Sequence, residues 1–278
     1  DVVIVVDSSN SVNQNGNVAP MINFVNTIIT ELDNVQSTNG DVRIGLVHFG
    51  AGRGQIAGNL HNMQATPYTT GDTMFDIGDQ LALTDDFSSS GAIYSWMNNV
   101  YTPAVQQTDV PNGTEMLGGI WAGMNLLYGT NGRPSAAKRL ITITDGPQFS
   151  NTEGTYFFSY DPLATPPERD THVNAGTVNP LTPDINFGPM NEDVFQPGVG
   201  PVYHTAPSPA GAWFQTNIVN NTNYPNQKSF LIGLDTRQGD PSFVGFPNAN
   251  QQQYFDQFAD PTDPTDGIDY SYYGSFQD

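Results

Sequence analysis

Val2-Val3-Ile4-Val5-Val6-Asp7-Ser8-Ser9-Asn10-Ser11 sets an unbroken apolar, β-branched run directly against a carboxylate and three hydroxyls. A run so short, with no alternation of polar and apolar residues, predicts a strand buried on both faces, as a parallel sheet requires. Val42 to Phe49, Leu140 to Thr144 and Phe230 to Leu234 have the same character. Asp7, Asp145 and Asp235 each stand at the end of such a run. Carboxylates at the C-terminal ends of parallel strands lie where open α/β sheets bind ligands.

Between these strands the period changes. Val18, Met21, Ile22, Val25, Ile28, Ile29 and Leu32 keep the spacing of one helix face, and Pro20 falls in the first turn, where a missing N–H does little harm. Leu117, Ile120, Trp121, Met124, Leu127 and Tyr128 predict a second helix ending near Gly129. Tyr254, Phe255 and Phe258 predict a shorter third one that stops before Pro261. This alternation predicts an α/β three-layer sandwich, a mainly parallel central sheet flanked by helices. Residues 52 to 110 are expected to hold a strand or two and a helix around Ile93 to Val100. Residues 147 to 225, rich in Pro, Asn, Gly and aromatics, show no sustained period and predict a long, irregular, ordered insertion. The expectation is one domain over 1–278, with the insertion on the face that carries the strand-end carboxylates.

Eight Lys and Arg stand against 28 Asp and Glu, a formal net charge of −20. Such a balance excludes the basic surfaces that nucleic acids and anionic membranes reward. Asp outnumbers Glu 23 to 5, much of it beside Gly, Asn, Pro or Thr, a context that suits turns and hard-cation ligation. No run of 18 apolar residues is present, so no membrane-spanning helix is expected. The absence of cysteine removes disulfides and thiolate chemistry. With no initiator Met and a strand at once, the chain reads as a processed or excised segment. Asn112-Gly113-Thr114 and Asn220-Asn221-Thr222 match the N-glycosylation pattern.

Three pieces of sequence carry the chemistry. Asp7-Ser8-Ser9-Asn10-Ser11 has the pattern D-x-S-x-S; Gly113-Thr114-Glu115-Met116-Leu117-Gly118 is a loop entering the second helix; Ile143-Thr144-Asp145-Gly146 closes a later strand. In this order, on these elements, they resemble the metal-ion-dependent adhesion site of von Willebrand factor A domains. The resemblance covers Asp1 to Phe49, about 112 to 146 and about 228 to 278, where Gln253 to Asp260 and Ile268-Asp269-Tyr270 look like that family's last helix and strand. It does not cover the long insertion. A hard divalent cation takes several oxygen ligands and keeps some water. The hydroxyls of Ser9 and Ser11 are two apart on one loop, and Thr114 can add a third from a neighbouring loop.

The resemblance implies that Ser9, Ser11 and Thr114 ligate Mg²⁺ (or Mn²⁺ or Ca²⁺), with Asp7 and Asp145 supplying negative charge, usually through water. A site of neutral hydroxyls leaves the ion electrophilic, with one position open for a carboxylate of a protein or glycan partner. The implied protein is a non-catalytic adhesion module of the cell surface or extracellular space, within a larger assembly. The competing expectation is a structural subunit of a surface filament, in which the metal is incidental. A metal-assisted hydrolase lacks a positioned base or nucleophile. A subtilisin-like triad fails because the nucleophile's position is Glu115. His48, His61, His172 and His204 lack zinc-site spacing, His48 being expected as a core or sheet-edge residue. No phosphate-binding G-x-x-x-x-G-K-S/T loop is present. Asp85-Asp86 and the run from Asp260 to Asp269 match no known calcium loop and are expected as solvated turns.

Overall fold

The computed structural model describes residues 1–9, 12–13, 16–52, 55–56, 59–60, 75–77, 80–106, 116–145, 156–158, 160–161, 168–169, 173–174, 185–186, 193–196, 200–203, 211, 214–225, 227–234, 258 and 270–273. The predicted first strand is β1 (Val2–Asp7), followed by α1 (Val18–Asn39) and β2 (Ile44–Gly52). Next come β3 (Phe75–Ile77), β4 (Leu81–Thr84), α2 (Ala92–Trp96), a π-helical turn (Met97–Tyr101) and α3 (Thr102–Val105). Then follow α4 (Met116–Tyr128), β5 (Lys138–Thr144), β6 (Gln227–Leu234) and β7 (Tyr270–Tyr273). These strands form a seven-stranded sheet in the order β7-β6-β5-β1-β2-β3, with β4 also paired to β2. Every neighbour from β7 to β2 is parallel, and only β3 and β4 run antiparallel, against β2. The mainly parallel sandwich is therefore present.

β1 lies at the centre, and its successive residues feed opposite cores. Val3 and Val5 join Val47, Phe49, Leu140 and Leu231 beneath α4, whose Leu117, Ile120, Trp121, Met124 and Leu127 cover that face. Val2, Ile4 and Val6 join Ile44, Leu46 and Ile143 against Met21, Val25 and Ile29 of α1, with Ile93, Trp96, Met97 and Tyr101 beside them. Both faces are dry, so no alternation survives in the sequence. Each buried aliphatic side chain contributes about 1.5–3 kcal/mol of transfer free energy.

Several boundaries shift for a physical reason. β5 starts at Lys138 and β6 at Gln227, ahead of the predicted Leu140 and Phe230, because polar residues at the strand entrances pair in the ladder without adding to an apolar run. α1 continues past Leu32 to Asn39. The predicted helix near Ile93 is real but carries a π-helical turn. Within 147 to 225 the described segments include short antiparallel pairings, Tyr156–Phe158 with Val173–Asn174 and with Ile185–Asn186, and Asp193–Gln196 with Gly200–Tyr203. Strands of two to four residues are too short to leave a period. Of the third predicted helix only Phe258 is described, buried against Phe214. Asp235 and Ile268 lie outside the described residues.

α4 sits close on β1 and β2 because two glycines, four residues apart, face the sheet. A β-carbon at Gly119 would stand 2.8 Å from Phe49 Cδ1 and 2.9 Å from Val5 Cγ1, and one at Gly123 would stand 2.8 Å from Val5 Cγ2. Gly119→Val should therefore cost about 2 kcal/mol or more through overpacking, despite any gain in helix propensity. Urea unfolding checks this, and an unchanged midpoint would show that the helix simply moves away.

Candidate functional site

Parallel register brings the strand-end residues together. Val6 of β1 is paired with Ile143 of β5 and with His48 of β2, so the chain beyond Val6 emerges between Thr144 and Phe49. Asp7 is fully buried there, and Ser8 and Ser9 are 1% exposed. The Asp7 carboxylate holds its own turn on one side, Oδ1 accepting the Ser9 N–H at 2.7 Å. On the other side Oδ2 accepts the Thr144 hydroxyl at 2.7 Å and, more weakly, the Asp145 N–H at 3.4 Å. Asp145 is buried immediately after β5. Asp7, Ser9 and Asp145 thus converge at one end of the sheet. Ser11 and Thr114, with Gly113 and Gly146, lie outside the described residues.

Burial pushes the Asp7 carboxyl above its ordinary pKa, against the pull of the Ser9 hydroxyl and N–H, the Thr144 hydroxyl and the Asp145 N–H. Burial and then the charges of Asp7 and Asp145 push the Tyr101 phenol well above its usual value. Tyr101 donates its hydroxyl to the Asp7 carbonyl at 2.8 Å. Among the described residues the ion pairs gather instead at the far end of β1, around Asp1. A buried carboxylate supported by hydrogen bonds, with a second carboxylate and a serine beside it, fits the demand of a hard divalent cation for oxygen. Among the described residues no three of His, Cys, Asp and Glu gather to hold a metal, so the fit depends on hydroxyls as well as carboxylates.

The sequence profile of the von Willebrand factor type A domain matches residues 1–76, the stretch that contains β1, its Asp7–Ser9 turn, α1 and β2. Over that stretch the chain is similar to the von Willebrand factor type A family. Its fold is shared with solved pilus adhesins. RrgA of Streptococcus pneumoniae is 15% identical, with a TM-score of 0.52, over 99% of this chain and 43% of that one. SpaC of Lactobacillus rhamnosus GG is 16% identical, with a TM-score of 0.51, over 100% of this chain and 29% of that one. The open conformation of SpaC gives 14% identity and a TM-score of 0.50, over 100% of this chain and 28% of that one. The chain therefore spans less than half the length of these adhesins. Comparison with curated proteins finds no match.

The roles of four residues around the turn were not visible in the sequence. Thr144 was visible in the motif but had no role; here it ties β5 to Asp7. Ser8 binds β2, its hydroxyl donating to Phe49 O at 2.8 Å and lying 2.9 Å from His48 Nδ1. His48 is a core residue rather than an edge one, and Tyr101 arrives from the π-helical turn. Register alone points to His48, since it lies beside Val6 in a parallel pair. Nothing in the sequence points to Tyr101. The Asp86 carboxylate serves a loop, accepting Ser88 N–H and hydroxyl and Ala92 N–H, and these bonds lower its pKa. Asp260 to Asp269, His61, His172 and His204 lie outside the described residues.

Proposed function

We propose that this chain is a non-catalytic binding module of an extracellular or cell-surface assembly, and that it captures an acidic group of a protein or glycan through a divalent cation. Ser9, Ser11 and Thr114 would hold Mg²⁺, Mn²⁺ or Ca²⁺, with Asp7 and Asp145 supplying negative charge behind them. The observation that carries the reading is the fully buried Asp7 carboxylate beside Asp145, at the ends of adjacent parallel strands. The likeness to pilus adhesins supports the adhesive assignment and a place within a larger assembly. When bound, the cation supplies an electrophilic position that overcomes the repulsion between a partner's carboxylate and a protein of net charge −20. Thr144 and the Ser9 N–H keep the Asp7 carboxylate aimed and ionisable. The chain would form one domain over 1–278, with residues 147–225, which follow the strand ending beside Asp145, shaping the choice of partner.

Calorimetric titration with Mg²⁺ and Mn²⁺ tests this directly. Wild type should bind one equivalent, and an Asp7→Ala, Ser9→Ala double variant should show no heat. Bound cation should also stabilise the fold by about 2.7 kcal/mol at a hundred times its dissociation constant. Cation affinity unchanged in the double variant defeats the assignment.

A further inference from the structure

The turn between Asp7 and Ser9 is tied down on three sides. The Asp7 carboxylate ties it to β5 through Thr144, at 2.7 Å. Ser8 ties it to β2 twice, its N–H reaching Phe49 O at 2.7 Å and its hydroxyl donating to the same carbonyl at 2.8 Å. Tyr101 ties it to the helix layer by donating to the Asp7 carbonyl at 2.8 Å. A serine hydroxyl has one proton, and Phe49 O takes it. The arrangement that makes a hydrogen bond of the 2.9 Å contact between Ser8 Oγ and His48 Nδ1 as well has the ring N–H donating. That selects one tautomer of a fully buried imidazole.

The aromatic surroundings hold both donors in place. Trp96 and Tyr101 stack with ring centroids 5.9 Å apart and planes 3° from parallel. The two residues are five apart, and the wider π-helical turn (Met97–Tyr101) brings such positions close to one column, which an ordinary α-helix would not do. His48 packs against this stack, 5.9 Å from the Trp96 ring and 6.3 Å edge-on to Tyr101.

We propose that Tyr101 and His48 are positioning residues of the cation site, fixing through the Asp7 carbonyl and the Ser8 hydroxyl the direction in which Asp7 and Ser9 present their oxygens. The inference rests on the cation reading above, and neither residue touches the ion. Groups that orient ligands in this way characteristically change metal affinity by 10–100-fold when removed. A packing role alone would alter stability and leave affinity untouched.

The test is Mn²⁺ titration of the whole chain, with the metal-free melting temperature measured in parallel. Tyr101→Phe keeps the ring stack and deletes one hydroxyl, so it should weaken Mn²⁺ by at least about tenfold while the protein stays folded. Ser8→Ala should do the same. His48→Leu should behave likewise, and His48→Gln, which restores an N–H donor, should recover much of the affinity. Mn²⁺ binding in folded Tyr101→Phe and Ser8→Ala within about threefold of wild type overturns the inference, whatever His48→Leu does to folding. If wild type binds, Asp7→Ala does not, and these variants bind normally, only the positioning role falls. A wild type that takes up no Mn²⁺ overturns the cation site and the inference together.

Discussion

In chelator at neutral pH, Asp7→Asn protein should be more stable than wild type by about 1–2 kcal/mol, and it should gain nothing from added Mg²⁺. The Asp7 carboxylate is fully buried, and burial raises its pKa above the ordinary carboxylate value. The folded state thus holds this proton more tightly than the unfolded chain. Stability attached to the group is fully present below the unfolded value and is lost as pH rises through the raised folded one. Above that folded value the metal-free protein carries an ionised carboxylate in a place that opposes charge, a cost of several kcal/mol for a fully uncompensated ion. The hydrogen bonds from Ser9, Thr144 and Asp145 offset part of that cost. Asn has nearly the same shape and no charge. It gives up an acceptor facing Thr144 and Asp145, worth about 1 kcal/mol. The difference between variant and wild type should therefore be smallest in acid, grow with pH and level off above the folded pKa. Saturating Mg²⁺ should reverse the order, because only wild type offers the cation the Asp7 charge beside that of Asp145. Urea unfolding over a pH series, with and without chelator, checks both halves. A variant less stable than wild type at every pH would show that Asp7 is retained for its hydrogen bonds.

The parts of this domain that were legible in the sequence are those where one physical demand acts alone. β1 shows as Val2 to Val6 because it is dry on both faces, and α1 and α4 show because one face of each is apolar. Asp7 and Asp145 were legible as candidates because each follows a buried strand, and parallel register then makes them neighbours. What stayed hidden depends on contacts distant in sequence. Tyr101 reaches Asp7 across 94 positions, and Ser8 reaches His48 across 40. The π-helical turn that delivers Tyr101 has no sequence period of its own, and the antiparallel edge strands β3 and β4 are too short to establish one. Lys138, Arg139, Gln227 and Lys228 begin buried strands with polar side chains, which hid the strand starts.

Those polar strand starts lead to the largest stability effect expected. Asp1→Ala should destabilise the domain by about 3–5 kcal/mol, the range for removing one partner from a buried ionic group. The Asp1 side chain has no solvent exposure, yet its two oxygens receive five hydrogen bonds. Arg43 supplies Nε and Nη2, both at 3.1 Å, and Arg133 supplies Nε and its backbone N–H, both at 2.9 Å. Lys138 Nζ adds one at 2.8 Å. Three cations thus share one carboxylate, and among the described residues Arg133 alone has a further carboxylate, that of Asp41, beside it. Without Asp1, Lys138, whose side chain is only 4% exposed, would face two guanidinium groups with no compensating charge between them. Lys138→Met should cost much less, because the carboxylate would keep both arginines. The loss in Asp1→Ala should resist added salt, since the charges are too enclosed for mobile ions to replace the carboxylate. A loss below about 1 kcal/mol, or one erased by salt, would place the cluster with ordinary surface ion pairs. Asp1 and Asp7 lie at opposite ends of β1, about 20 Å apart at strand rise. Asp1→Ala should accordingly lower the melting temperature and leave Mn²⁺ affinity as it is, whereas Tyr101→Phe should lower affinity with the smaller effect on melting. That opposite pattern would separate the residues that hold this sheet together from those that aim the proposed cation site.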